Sequence, residues 1–114
     1  MHELSIVMNI VDLAEEQVKK HHARTVERIE LDIGTLAGIE FDALDFAWEA
    51  GTRKSVLESA ERQVNRIEGR ARCTQCGCEF TMTEPFQPCP NCHDYFNEFL
   101  QGKELRIKNL TLQF

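Results

Sequence analysis

Near the start of the chain, apolar residues recur every three or four positions. They are Leu4, Val7, Met8, Val11, Ala14 and Val18, with Glu15, Glu16, Lys19 and Lys20 between them. That spacing matches the turn of an α-helix, so residues 3–22 are predicted to form an amphipathic helix. From Val26 the period falls to two. Ile29, Leu31 and Ile33 alternate with Glu30 and Asp32 up to Gly34, the pattern of a strand with one buried face. Residues 34–40 (GTLAGIE) read as a turn region. Phe41, Leu44, Ala47 and Trp48 then restore the helical spacing as far as Gly51, a stop signal. Phe41, Phe46 and Trp48 form an aromatic stripe on this helix and are assigned to the core.

The segment 60–72 is polar, with Val64 and Ile67 its only large apolar residues, and reads as an edge strand. After Gly102 the tail ELRIKNLTLQF alternates again. Leu105 and Ile107 lie on one phase, and Leu110, Leu112 and Phe114 on the other, which predicts a bulge or bend in a final strand. This last strand is too apolar to stand alone and is expected to return to the sheet built by residues 26–34 and 60–72. The expected fold is α+β, a small mixed sheet of about three strands packed with two helices, carrying an inserted zinc-ribbon-like module with four cysteines. The expected boundaries are 1–70 with 103–114 for an α/β domain and 71–102 for the module, tethered at both ends.

Composition narrows the function. The 114 residues hold 13 basic and 19 acidic side chains, net −6, the wrong sign for a protein that gains affinity by neutralising phosphates. No apolar run approaches the length of a membrane span, and no secretory signal opens the chain, so a cytoplasmic protein is expected. In that setting five cysteines argue for reduced thiols and metal rather than disulfides.

Cys73-x2-Cys76 and Cys89-x2-Cys92 are two CxxC units separated by twelve residues. Each unit turns two sulfurs to one side of a tight knuckle, and two knuckles supply a tetrahedral set of four thiolates. Zinc suits that set; rubredoxin-type iron uses the same ligands, and the spacing does not separate the two. A redox dithiol is disfavoured by the pairing. Pro88 and Pro90 stiffen the second knuckle, and Gly77 stands where a left-handed residue is often needed. Four protein ligands leave no open position, so the site is read as structural. With no nucleophile–base pair identifiable either, the protein is not expected to be an enzyme. Cys78 is read as a bystander beside the ligands, with a spare exchanging thiol as the other account.

The amino terminus carries a second candidate. A retained Met1 offers its amine, and His2 adds an amide nitrogen and an imidazole. Together they close one five-membered and one six-membered chelate ring of the planar nitrogen type that Ni(II) or Cu(II) prefers. A fourth planar position is left for the Glu3 amide, a second histidine or a partner's ligand. On these residues alone the plainer account is an exposed terminal histidine, with Glu3 a favourable charge in the first helical turn. His21 and His22 sit at the negative end of that helix and are given a capping role, not a metal role.

Several segments together resemble the HypA/HybF family, nickel metallochaperones of nickel–iron hydrogenase maturation. They are MHELSI at 1–6, ERIELDIGTLAGIE at 27–40, LDFAWE at 44–49, the CxxC pair with CPNC at 89–92, and GKELRIKNL at 102–110. The resemblance covers nearly the whole chain in order. It implies a nickel-binding domain and a zinc domain, with nickel as cargo at His2, affinity and docking tuned by Glu3, and structural zinc on Cys73, Cys76, Cys89 and Cys92. It also implies a nickel-insertion GTPase and the hydrogenase large subunit as partners, and some relatives also serve urease. Two positions depart from the commoner pattern. His93 follows the second knuckle where glycine is frequent, which makes it a candidate extra nickel donor, and Arg62 stands where an apolar strand residue is usual. The competing function is a zinc-ribbon adaptor that contacts protein or nucleic acid.

Overall fold

The computed structural model describes residues 2–114, with helix α1 over Glu3–Lys20. The buried face of α1 is Ile6, Val7, Ile10, Val11, Ala14 and Val18. Leu4 and Met8, which the spacing had assigned to that face, are instead 51% and 41% exposed. At about 100° per residue they lie on one flank of the Val7–Val11–Ala14–Val18 line, and Ile6 and Ile10 lie on the other. The apolar band is wider than the surface it packs against: Leu4 and Met8 reach Gly51 but keep about half of their surface in water. The helix ends two residues early. His22 adopts a left-handed conformation (φ 54°), and the amides of His22 and Ala23 bond the carbonyls of Lys19 and Val18 at 3.3 and 2.9 Å, a Schellman-type cap.

Strand β1 (Thr25–Gly34) buries Ile29, Leu31 and Ile33, as the alternation predicts, and Val26 off that phase. Asp32, placed on the polar face by the same alternation, is buried too, its carboxylate paired with Asn65 and Arg106 at 3.0 and 2.9 Å. Helix α2 (Phe41–Gly51) is opened by Glu40, whose carboxylate accepts the amides of Asp42 and Ala43 at 3.1 and 2.7 Å. Leu44, Ala47 and Trp48 face inward, and burying Leu44 contributes about 1.5–3 kcal/mol, the single methyl of Ala47 about 0.8 kcal/mol. Phe41 is half-buried. Phe46, assigned to the core from its sequence, is 78% exposed, because two residues before Trp48 it points to the opposite side of the helix.

The single edge strand expected over 60–72 is two strands, β2 (Glu61–Ile67) and β3 (Arg70–Cys73). Arg62 is accommodated at half-burial: its guanidinium lies 5.2 Å from the Trp48 ring centre and bonds Asp45 at 2.7 Å. Gly69 marks the break between the two strands. A β-carbon there would overlap the Met82 carbonyl and the Leu36 side chain, and the Gly69 carbonyl accepts the Met82 amide at 2.8 Å. Strand β6 (Leu105–Gln113) runs unbroken. Its half-buried apolar positions, Ile107, Leu110 and Leu112, change parity as the sequence does.

Two three-stranded sheets result, in the orders β2-β1-β6 and β4-β3-β5, with β4 at Glu79–Thr81 and β5 at Asn97–Gln101. In the first sheet Arg28, Asp32 and Thr35 meet Glu61, Asn65 and Ile67, numbers that rise together, so β1 and β2 are parallel. Arg24 and Gly34 meet Gln113 and Glu104, so β6 lies antiparallel to β1. The sheet is mixed, as expected, and the last strand does return to β1. In the second sheet all pairs are antiparallel, with a register shift between Arg70 and Ala71.

The chain forms two compact units. One comprises the chain up to Leu31, Ile39–Val64 and Ile107–Phe114; the other comprises Asp32–Gly38 and Asn65–Arg106. The first holds α1 and α2 and their shared core. The second has its own core of Leu36, Ala71, Cys73, Phe80, Met82 and Cys89.

Candidate metal centre

Cys73 ends β3, and the chain turns back through Cys76, Gly77 and Cys78 into β4. Backbone bonds fix that turn: the Cys73 amide donates to the Cys78 carbonyl at 2.9 Å, and the Gly77 amide donates to the Cys73 carbonyl at 3.0 Å. The second knuckle repeats the arrangement. The Cys89 amide donates to the Asp94 carbonyl, and the His93 amide to the Cys89 carbonyl, both at 2.9 Å. Gly77 (φ 76°) and His93 (φ 64°) are the equivalent left-handed residues, which explains why glycine is the natural choice after each second cysteine.

The repetition extends to the sulfurs. The Gln75 amide donates to Cys73 Sγ and the Asn91 amide to Cys89 Sγ, each at 3.4 Å. The Asn91 side-chain nitrogen additionally donates to Cys76 Sγ at 3.5 Å, across to the other knuckle. Thr74 ties the first knuckle to the chain after the second, its amide and hydroxyl donating to the Phe96 carbonyl at 3.0 and 2.7 Å.

The four sulfurs all lie within 4.8 Å of one another. Cys73 Sγ and Cys92 Sγ are 3.5 Å apart, and Cys76 Sγ and Cys89 Sγ 3.6 Å. A tetrahedron with metal–sulfur bonds of about 2.3 Å has edges of about 3.8 Å, so the set fits a four-coordinate thiolate metal. All five cysteines are free, and Cys73 and Cys89 are buried while Cys76 and Cys92 are exposed.

The donors bias the thiols. Cys76 is lowered to about 6, chiefly by the Asn91 side chain and then by the Cys78 amide. At Cys89 the Cys92 amide leads in lowering the thiol below its ordinary value, against the effect of burial. At Cys92 the Asp94 amide favours the thiolate, but the bond with Cys73, together with burial, pushes the group up to about 12. Cys78 stands apart from the ligand set. Burial raises its thiol, which packs against the second unit's core and donates to the Glu79 carbonyl at 3.7 Å, as a bystander would.

His2 is exposed immediately before α1, with an extended backbone (φ −80°, ψ 119°) and no side-chain capping bond. Its carbonyl accepts the Ile6 amide at 3.3 Å, so the imidazole is uncommitted while the backbone is held. Met1, whose amine the chelate requires, lies outside the described residues. His93 is exposed in the second knuckle. Among the described residues the four cysteines are the one group of three or more potential ligands, and His2 belongs to no such group. Asn91 was not singled out from the sequence: the third residue of CPNC shows nothing until the fold sets the knuckles side by side.

A family model described as hydrogenase/urease nickel incorporation, metallochaperone, hypA, matches residues 1–112. The hydrogenase maturation factor HypA of Parabacteroides distasonis is 43% identical over 113 residues, covering 99% of this chain and 98% of that protein. The factor of the same name from Geobacter metallireducens is 41% identical over 113 residues, covering 99% and 100%. The solution structure of the Ni metallochaperone HypA from Helicobacter pylori superposes with a TM-score of 0.69 at 27% identity, covering 99% of this chain and 98% of that one.

Proposed function

The chain belongs to the HypA family of hydrogenase/urease nickel-incorporation metallochaperones, which are not enzymes, and from that premise we propose that it binds Ni(II) through His2 and delivers it to the hydrogenase large subunit with a partner GTPase. The observation that carries the reading is the chemical contrast between the two candidate centres. Four convergent sulfurs can saturate a metal, whereas His2 offers an exposed imidazole, making no capping bond, at the start of a helix.

Delivery requires a metal that is held selectively and released quickly. Few ligands and solvent access favour release, and planar nitrogen donors from Met1, His2 and Glu3 favour nickel over zinc. Zinc belongs on Cys73, Cys76, Cys89 and Cys92, where it closes the two knuckles and ties the second unit's core together; residues 71–102 are the proposed zinc domain, and 1–70 with 103–114 the nickel domain. The adaptor reading finds less support. Residues 73–102 contain no lysine or arginine but four carboxylates, Glu79, Glu84, Asp94 and Glu98, a poor surface for nucleic acid.

The proposal is tested by loading the chain with radioactive nickel and mixing it with nickel-free hydrogenase large subunit and the GTPase. Nickel is expected to move to the large subunit while zinc stays behind. Transfer no faster than from free nickel at the same concentration contradicts delivery.

A further inference from the structure

The two knuckles are near copies, and Asn91 breaks their equivalence. Its backbone amide serves Cys89 as the Gln75 amide serves Cys73, but its side chain crosses to Cys76 Sγ at 3.5 Å. Gln75, at the equivalent place, makes no bond to Cys92 among the described residues. Cys76 and Cys92 are the two exposed members of the set, the two that a reagent in water can reach.

We propose that Asn91 is a positioning residue of the zinc centre, bracing Cys76 so that Cys92 is the ligand through which the centre opens and reacts. This rests on the reading of the four cysteines as a zinc site. An N–H donor on a metal-bound thiolate draws charge from the sulfur, holds its rotamer and makes it a poorer nucleophile. Burial shields Cys73 and Cys89. Each exposed sulfur accepts one backbone amide, Cys76 from Cys78 and Cys92 from Asp94, but Cys76 alone also accepts the Asn91 side chain, so with zinc holding both as thiolates Cys92 keeps the more charge. An electrophile, an oxidant or a competing ligand therefore meets Cys92 first, and the second knuckle lets go before the first.

Site-resolved alkylation of the zinc-loaded full chain tests this. In the reaction the thiolate attacks the iodoacetamide carbon, a sulfur–carbon bond forms and iodide leaves. Peptide mass analysis gives the early rate at each cysteine, and elemental analysis gives zinc per chain. Cys92 is expected to react about tenfold faster than Cys76, the low end of what an outer-sphere partner contributes. In Asn91→Leu, which keeps the bulk but loses the donor, the ratio is expected to fall toward one. In Gln75→Asn, which sets the matching amide opposite Cys92, it is expected to fall by slowing Cys92. Cys76 reacting as fast as Cys92 in the native chain, or a native ratio retained in Asn91→Leu, overturns the assignment, and the native comparison stands even if a variant does not fold. A native chain that binds no zinc overturns the zinc reading itself, and this proposal with it.

Discussion

At the scale of single residues, the sites consist of groups whose chemistry is visible in their type and spacing. Four cysteines in two CxxC units announce a metal wherever the chain folds at all, because the knuckle is local: the bonds that shape it span four or five residues. The His2 proposal is local in the same way, since the nitrogen donors it invokes belong to residues 1–3. Asn91 was not legible, because its bond to Cys76 crosses fifteen residues and depends on how the knuckles face each other. The left-handed positions offer a test at this scale. No atom lies within 4 Å of a β-carbon built on Gly77, so Gly77→Ala isolates the backbone cost and is expected to lower stability by about 1 kcal/mol. His93→Gly, at the equivalent position, is expected to raise it by about 0.5–1 kcal/mol. Denaturant unfolding of the zinc-loaded proteins reads both, and equal signs for the two changes contradict the equivalence of the knuckles.

At the scale of elements, periodicity identified both helices, β1 and the final strand β6, although β1 also buries Asp32 on its polar phase and β6 is at most half-buried. It misjudged the margins of the buried faces. Leu4 and Met8 have the spacing of a core stripe but lie on its half-covered flank, and Phe46 is exposed although Trp48, two residues on, is buried. It also merged β2 with β3, because a break made by close backbone approach leaves no mark except a glycine. β4 and β5 were missed altogether. They are three and five residues long and held by pairing to β3 and by the knuckles, so they have too little length to show a period. The crowding at the break predicts a sharp cost. Gly69→Ala drives a methyl group into the Met82 carbonyl and the Leu36 side chain and is expected to destabilise by about 3 kcal/mol, at the upper end of ordinary overpacking. Urea unfolding followed by circular dichroism measures it, and a change under about 0.5 kcal/mol contradicts that packing.

At the scale of the whole molecule, the chain is two compact units, and the two proposed metal sites, of opposite character, fall one in each. The cysteine set lies in the unit whose small core counts Cys73 and Cys89 among its six buried residues, so a zinc bound there would be part of that core's structure. His2 belongs to the other unit, whose core of α1, α2 and β1 side chains includes no cysteine or histidine, so in the proposed account a metal gained or lost at His2 leaves that core intact. The division of labour between a saturated centre and an open one is the central claim, and titration with Ni(II) tests it most directly. Three zinc-loaded proteins are compared by visible absorption: native, His2→Ala, and a variant with residues added before Met1. The expected result is a planar Ni(II) spectrum at one nickel per native chain, lost or much weakened in both variants, with zinc content unchanged in all three. Equal nickel binding by all three proteins, or nickel taken up only as zinc is displaced, contradicts the account.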